Sequence, residues 1–349
     1  MTLLDTLIEL VDQPSETGDE GRLCTQIAAR LLATFSAGQV GRLGNSLVVG
    51  PRSGRPLILL VGHLDTVSRQ GQGRARLEGG RLFGLGAADM KGGLAVMIHL
   101  LEDPEVRLGH YDVVGVFYEG EEGPSAGNGL EPVLQEMEWL RAAECAVVLE
   151  PSDLEIQMGC TGVINARVVF TGRAAHSARP WLGENAISKA GDWLAEMHRR
   201  PPTPEIVDGL EFREVFSVTT AAGGVATNVI PPRFEVNLNY RFPPTLTIAQ
   251  AEERLRDVCR LADIVEVVDS APAGSVAVHH PIFTRLAQIS GARRTAKQGW
   301  TDVARLGAHG IAAVNYGPGE AGQAHQVEEG IAVANLDEAF VNLRSVLTS

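Results

Sequence analysis

PLILLVGHLDTV, residues 56–67, decides how this chain is built. Pro56–Val61 is an uncharged run too short for an ordinary helix, and it stops at Gly62, so it reads as a strand buried on both faces. His63 and Asp65 follow directly. Side chains two apart along an extended chain point the same way, so this pair can serve one site. The pattern recurs twice. Val113–Phe117 reads as a second buried strand, ending at Tyr118-Glu119-Gly120-Glu121-Glu122-Gly123. Ala146–Leu149 reads as a third, ending at Glu150-Pro151. Between the first two, GLGAADMKGG (84–93) makes a glycine-rich turn around Asp89 and leads into an apolar helix, Gly92–Leu101. A helix is also expected over 21–36. The opening MTLLDTLIELVDQPS suits an amphipathic helix with Leu3, Leu4, Leu7, Ile8 and Val11 on one side. Strands alternating with helices predict an α/β unit with a mixed, mostly parallel sheet covered by helices. In such open sheets ligands bind at the carboxyl ends of the strands, where these polar clusters fall.

The character changes near residue 161. A strand at Val163–Phe170, a helix at Asn185–Arg199, a loop marked by Pro201, Pro202 and Pro204, strands at Phe216–Ala221 and Phe234–Phe242, and a helix at Ile248–Leu261 make an α+β unit. The chain then returns to the first pattern, with a helix at Ile282–Gly291, the turn Gly299-Trp300-Thr301-Asp302, a strand at Ala312–Tyr316 and a last helix from about Leu336. The expected organisation is a catalytic domain of residues 1–161 and 272–349, interrupted by an inserted domain of residues 162–271.

The 349 residues suit two domains, and 44% hydrophobic with 21% charged residues is ordinary for a globular chain. With 30 basic against 43 acidic residues, the net charge of −13 repels phosphate backbones and anionic lipid, which argues against nucleic-acid and membrane partners. Cys24, Cys145, Cys160 and Cys259 are scattered and form no C-x-x-C pair, so neither a zinc knuckle nor a disulfide framework is expected. The amino-terminal stretch lacks a basic region and a small-residue cleavage site, and no apolar run is long enough to span a bilayer, so the cytoplasm is the default compartment.

Each chemically interesting residue has an ordinary explanation when taken alone. His63 suits a hydrogen-bonded loop histidine, Asp89 a helix cap, Glu121, Glu122 and Glu150 solvated acidic turns, and His325 in AHQVEE (324–329) a surface loop. Together they read differently. His63, Asp89, Glu122, Glu150 and His325 all fall at strand ends or in loops expected on one sheet edge. Two histidines and three carboxylates, with no thiolate, suit a pair of Zn²⁺ ions. One bridging carboxylate would hold two ions ~3.5–4 Å apart, able to activate a water and polarise a carbonyl. Glu121, beside a ligand, would stay available as general base, and Asp65 would fix the His63 ring directly or through the backbone turn. His99, His110, His198, His279, His280 and His309 receive no role.

The order HLDTV (63–67), GAADMKGG (86–93), EEG (121–123), LEP (149–151), AHQVEE (324–329) resembles the zinc aminoacylase/desuccinylase family of metallopeptidases over nearly the whole chain. The one departure noted, Leu85 where the family often has arginine, is not a ligand position. The resemblance implies that His63 and Glu150 hold one zinc, Glu122 and His325 the other, and that Asp89 bridges them, Co²⁺ being a substitute metal. It also implies that GRAAHSARPWLGENAI (172–187) belongs to a lid and dimerisation domain, whose His176 crosses into a partner subunit's site to donate to the reaction's oxyanion. TNVIPP (227–232) and NYRF (239–242) fit the family too and make Asn228 and Arg241 candidate substrate contacts, with Arg179 and Thr301 beside them. GCTG (159–162), AHSARPWLGEN (175–185) and GWTDVARLGAHGIAAVNYGPG (299–319) resemble the family's succinyl-diaminopimelate desuccinylase branch of the actinobacterial type. That likeness implies hydrolysis of N-succinyl-LL-2,6-diaminopimelate, in lysine biosynthesis, by a homodimer. The alternatives are another N-acyl amino-acid deacylase, acting on acetylornithine or carrier-linked lysine, a dipeptidase, and a non-catalytic binding protein. The last should have lost Glu121 or a ligand, and all are present.

Overall fold

The computed structural model describes all residues from Met1 to Ser349. They form two compact units, one of Met1–Gly159, Ala277–Thr295 and Arg305–Ser349, the other of Cys160–Val276 and Ala296–Ala304.

The first unit is built on an eight-stranded sheet. Leu57–His63 lies at its centre, parallel to Asp112–Tyr118 on one side and to Cys145–Val148 on the other. Ala313–Asn315 extends the parallel run beyond Cys145–Val148. All four strands are buried throughout, and their only charged carboxylate, Asp112, is paired with Arg55, as strands covered on both faces require. Antiparallel strands flank them, Ser46–Val49 with Val40–Leu43 at one side and Ile156–Met158 at the other. Along this row the chain runs second, first, third, fourth. The order therefore reverses between Leu57–His63 and Cys145–Val148, which opens a crevice at their carboxyl ends. His63 and Glu150 stand there. Helix Gly92–Glu102 is apolar on every side and nearly all buried, the pattern of a core helix. Its first turn packs so closely on the end of the Cys145 strand that a Cβ on Gly93 would sit 2.3 Å from the Leu149 carbonyl oxygen. That approach brings the Asp89 turn beside Glu150.

The second unit is a five-stranded antiparallel sheet, ordered Thr203–Val207, Leu210–Gly223, Arg233–Phe242, Gly162–Thr171, Ile264–Ala271. Helices Gly191–Arg199 and Ile248–Val258 cover one face. The core between holds Phe170, Trp193, Leu238, Tyr240 and Leu255. The Trp193 indole N–H satisfies itself on the Val258 carbonyl at 3.0 Å.

Several elements differ from expectation. The helix expected over 185–199 is two, Ala186–Lys189 and Gly191–Arg199, the first capped by the Asn185 side chain, which accepts from the backbone N–H groups of Ile187 and Ser188. Pro204 lies within a strand and not in a loop. Thr203–Val207 is the edge of its sheet, where a missing N–H costs no ladder bond. The inserted unit also reaches past 162–271. Cys160 bridges Gly274, the Thr161 hydroxyl donates to the Gln298 carbonyl at 2.6 Å, and the Trp300 indole donates to the Pro272 carbonyl at 3.0 Å. These bonds group 296–304 with that unit, away from the flanking sequence on either side.

No helix is long and apolar enough to cross a membrane. All four cysteines are buried and unpaired. Burial pushes the Cys145 and Cys259 thiols up to about 12, so neither offers a thiolate at neutral pH.

Candidate metal centre

Seven residues singled out in the sequence converge in the first unit. The His63 Nε2 atom lies 3.2 Å from Asp89 Oδ1 and 3.6 Å from Glu150 Oε1. The His325 Nε2 atom lies 3.7 Å from Asp89 Oδ2 and 3.0 Å from Glu122. Asp89 thus turns one oxygen to His63 and the other to His325, with Glu150 in the first trio and Glu122 in the second. Each trio places its donor atoms within 4.8 Å of one another. A tetrahedron with zinc-like bonds of about 2.0–2.1 Å has edges of about 3.3 Å, so these separations suit donors around a shared cation. Glu121 completes a third group with His63 and Glu122.

The backbone explains the convergence. His63 ends its strand, and its Nδ1 lies 3.0 Å from the Asp65 carbonyl oxygen and 3.5 Å from the Asp65 carboxylate. The nearer partner is the backbone turn, which leaves the carboxylate another task. Asp65 Oδ1 accepts from the Glu121 backbone N–H and Oδ2 from that of Glu122, both at 3.0 Å, while the Thr17 hydroxyl donates to Oδ2 at 2.9 Å. Asp65 therefore ties the end of the first parallel strand to the acidic turn after the second. Asp89 does not cap the following helix, whose N-cap is Lys91. Its φ of −122° and ψ of 95° are extended, and they aim the carboxylate into the centre. His325 sits on an exposed loop with a left-handed φ of 61°, unusual for a side chain with a Cβ.

The electrostatics favour a cation. Burial works against a charge on His63, but hydrogen bonds to Asp65 and Asp89 and the nearby Glu150 charge override it and hold the imidazole proton well above the usual range. Burial also opposes charge on Asp65. Its bonds and attraction to His63, with the two backbone N–H groups, prevail and bring its pKa to about 2. Burial and Asp89 raise Glu122, and the two histidines oppose them. Five carboxylates gathered around two imidazoles form a field that a divalent ion would neutralise by displacing the His63 proton. The residues fit a metal on N and O ligands.

Three supporting residues had no assigned role in the sequence. Glu329 accepts the backbone N–H groups of Gly86, Ala88 and Asp89. Burial pushes its carboxyl up to about 7 against the pull of those three bonds. Lys91 is buried and donates to the Gln13 carbonyl at 2.8 Å, and burial lowers its ammonium to about 7. Thr17 is the third. The available signal was position alone: Lys91 lies within GAADMKGG and Glu329 within AHQVEE. Of the histidines given no role, His99, His280 and His309 face Thr6, the Glu144 carbonyl and Glu131.

His176, Arg179, Asn228, Arg241 and Thr301 all belong to the second unit. Three of them meet on paired loops: Ser177 N–H donates to the Asn228 carbonyl and Arg179 N–H to the His176 carbonyl. His176 Nδ1 accepts from the Ala178 N–H at 3.1 Å, which puts the proton of the neutral ring on Nε2 as a donor. Arg241 and Thr301 are not part of that group. The Arg241 guanidinium is held by Asn239 Oδ1 at 3.0 Å. Thr301 is 3% exposed, and its hydroxyl has no partner.

Comparison with known proteins converges on one family. The model of peptidase family M20/M25/M40 matches residues 59–349. A Mycobacterium tuberculosis protein provisionally named succinyl-diaminopimelate desuccinylase DapE is 40% identical over 344 residues, covering 97% of this chain and 96% of that protein. The succinyl-diaminopimelate desuccinylase of Corynebacterium glutamicum is 34% identical over 353 residues, covering 97% and 94%. Among solved structures, aminopeptidase PepT from Bacillus cereus shares the fold with a TM-score of 0.79 at 20% identity, over 99% of this chain and 97% of that one.

Proposed function

The chain belongs to peptidase family M20/M25/M40, and from that premise we propose that it is a two-zinc desuccinylase that hydrolyses N-succinyl-LL-2,6-diaminopimelate to succinate and LL-diaminopimelate. The observation that carries the chemistry is the division of Asp89, one oxygen to each of two donor groups, with Glu121 alongside. The substrate rests on two relatives bearing that activity in their names, each aligned with 97% of the chain.

In this reading His63 and Glu150 would hold one ion, Glu122 and His325 would hold the other, and Asp89 would serve both. Bound divalent ions supply Lewis acidity, lowering the pKa of a water and polarising the amide carbonyl. The chain's own groups do the rest. Asp65 fixes the His63 ring and the Glu121–Glu122 turn. Glu121 takes a proton from the attacking water and delivers it to the departing amine nitrogen. His176, protonated at Nε2, donates to the oxygen that gains charge. Arg241, with Arg179, Asn228 and Thr301, receives the substrate's carboxylates and polar groups, a fork-shaped guanidinium being suited to a carboxylate. We place the enzyme in the cytoplasm as a homodimer joined through the inserted unit, with His176 serving the partner's site. Exposed apolar side chains on that unit, Trp181, Leu182 and Val225 among them, support the pairing.

The test is a steady-state comparison of N-succinyl-LL-diaminopimelate, N-acetylornithine and a panel of acyl-lysines, following amine release. A kcat/KM for the succinyl substrate about a hundredfold above the others is expected. Preference for another acyl group would move the enzyme to a different deacylase branch. No turnover with two metals bound would leave a binding protein.

A further inference from the structure

We infer that Glu329 is the positioning residue that joins the loop bearing His325 to the turn bearing Asp89, and thereby sets the donor geometry of the Asp89–Glu122–His325 end of the centre. The inference rests on the two-metal reading above and assigns a further residue to it.

Glu329 is 2% exposed and spends its whole side chain on one turn. One carboxylate oxygen accepts from the Gly86 N–H at 2.8 Å, and the other from Ala88 at 2.8 Å and Asp89 at 3.0 Å. Its own carbonyl accepts from the Gly84 N–H at 3.0 Å. Gly86 is left-handed, with φ of +79°, and Asp89 is extended, so this turn has no helical ladder of its own to take those N–H groups. Hydrogen bonds from a backbone to a buried carboxylate are of the stronger, charge-assisted kind, and losing them leaves buried donors without partners. The other side of the link is as short. Glu329 N–H donates back to the Gln326 carbonyl at 3.2 Å, so a single tight turn separates it from His325.

The two ends of the centre differ in their dependence on this link. His63 is anchored through Asp65, and Glu150 stands just past a strand whose Leu149 N–H donates to the Val61 carbonyl. Neither needs Glu329. Of the donors at the other end, Asp89 and His325 both lie on the segments it clasps. A residue behind the ligands that orients them typically changes metal affinity by about 10–100-fold when lost. Because Asp89 serves both ends, the loss should reach both ions but fall more heavily on the outer one, two of whose three donors lie on the clasped segments.

The test uses metal-free full-length protein titrated with Co²⁺ and followed by its visible absorption, for wild type, Glu329→Gln and His325→Ala. Glutamine keeps the shape but has one acceptor oxygen, so at least one of the three N–H groups meets an NH₂ group. In Glu329→Gln the weaker cobalt Kd should rise about 10–100-fold, in the direction His325→Ala takes it, with an altered absorption band for that ion. The tighter Kd should rise clearly less than the weaker one, and the metal-free melting temperature should fall by no more than a few degrees. Wild-type constants and spectra in Glu329→Gln would overturn the inference. Equal weakening of both ions would also overturn it, leaving Glu329 a general stabiliser. If Glu329→Gln does not fold, Glu329→Asp, which keeps the charge on a shorter arm, is judged by the same criteria. Fewer than two cobalt ions on wild type would overturn the two-metal reading and this inference with it; two ions on wild type and unchanged binding in the variant would overturn the role of Glu329 alone.

Discussion

His63 and His325 face opposite oxygens of the same aspartate, yet they are held differently. The His63 side chain is 1% exposed at the end of a fully buried strand, with Asp65 behind its ring. The His325 side chain is 53% exposed on a left-handed loop residue. His63 and Glu150 are fixed by the sheet, whereas His325 is held by a loop clasp. An arrangement of this kind should bind one ion tightly and the other more weakly, because less of the outer site is preformed before the ion arrives.

The largest effect expected is at the inner end. His63→Ala leaves carboxylates crowded together without their imidazole, and should lose the inner ion and all measurable hydrolysis. Elemental analysis finding two ions still bound would break the comparison. Glu121 is assigned to neither end as a ligand. Glu121→Ala should keep both ions while kcat falls about 10³–10⁴-fold; near-normal turnover would remove it as the base. At the outer end, His325→Ala should take the metal content from about two ions per chain toward one, with the retained ion's Kd nearly unchanged. Equal losses in His63→Ala and His325→Ala would show the two ends to be equivalent. In the second unit, Arg241→Lys should raise KM by about tenfold with metal content unchanged, since an ammonium cannot make the paired contacts of a guanidinium.

A pH effect, smaller still, isolates the link behind the inner end. Asp65 has a folded pKa of about 2, below the ordinary 3.8 of an unfolded aspartate. Its contribution to stability is therefore present above about pH 4 and is lost as pH falls toward 2. In metal-free protein, Asp65→Asn should flatten that part of the acid-unfolding curve and lower stability above it. An unchanged acid limb would contradict the bonds assigned to Asp65.

The same contrast explains what the sequence could disclose. PLILLV, VVGVF and AVVL announce their strands because a parallel strand covered on both faces needs an uninterrupted apolar run. The polar residues that follow each run then mark the carboxyl edge, which is why His63, Glu121, Glu122 and Glu150 were legible as one group. Asp89 and His325 were legible as candidates, but not their backbone: a helix cap was the ordinary reading of Asp89, and the extended conformation that turns it inward is imposed by Glu329, distant in sequence. Glu329 and Lys91 gave no signal of their own, since their work is hydrogen bonding to backbone groups that only the folded chain brings near. In the inserted unit, Pro204 looked like a loop because proline is excluded from central strands, and nothing local says that a strand is an edge. Ile264–Ala271, at the other edge and with a single buried residue, lacks the apolar run that announces a buried strand. Arg179, Arg241, Asn228 and Thr301 carry no spacing that ties them to a substrate.

The most direct measurement is hydrolysis of N-succinyl-LL-diaminopimelate by metal-free protein reconstituted stepwise with Zn²⁺, with bound zinc measured at each point. Activity should rise until two zinc ions are bound per chain and then level off. Full activity at one ion, or activity with none, would contradict a centre in which Asp89 joins two.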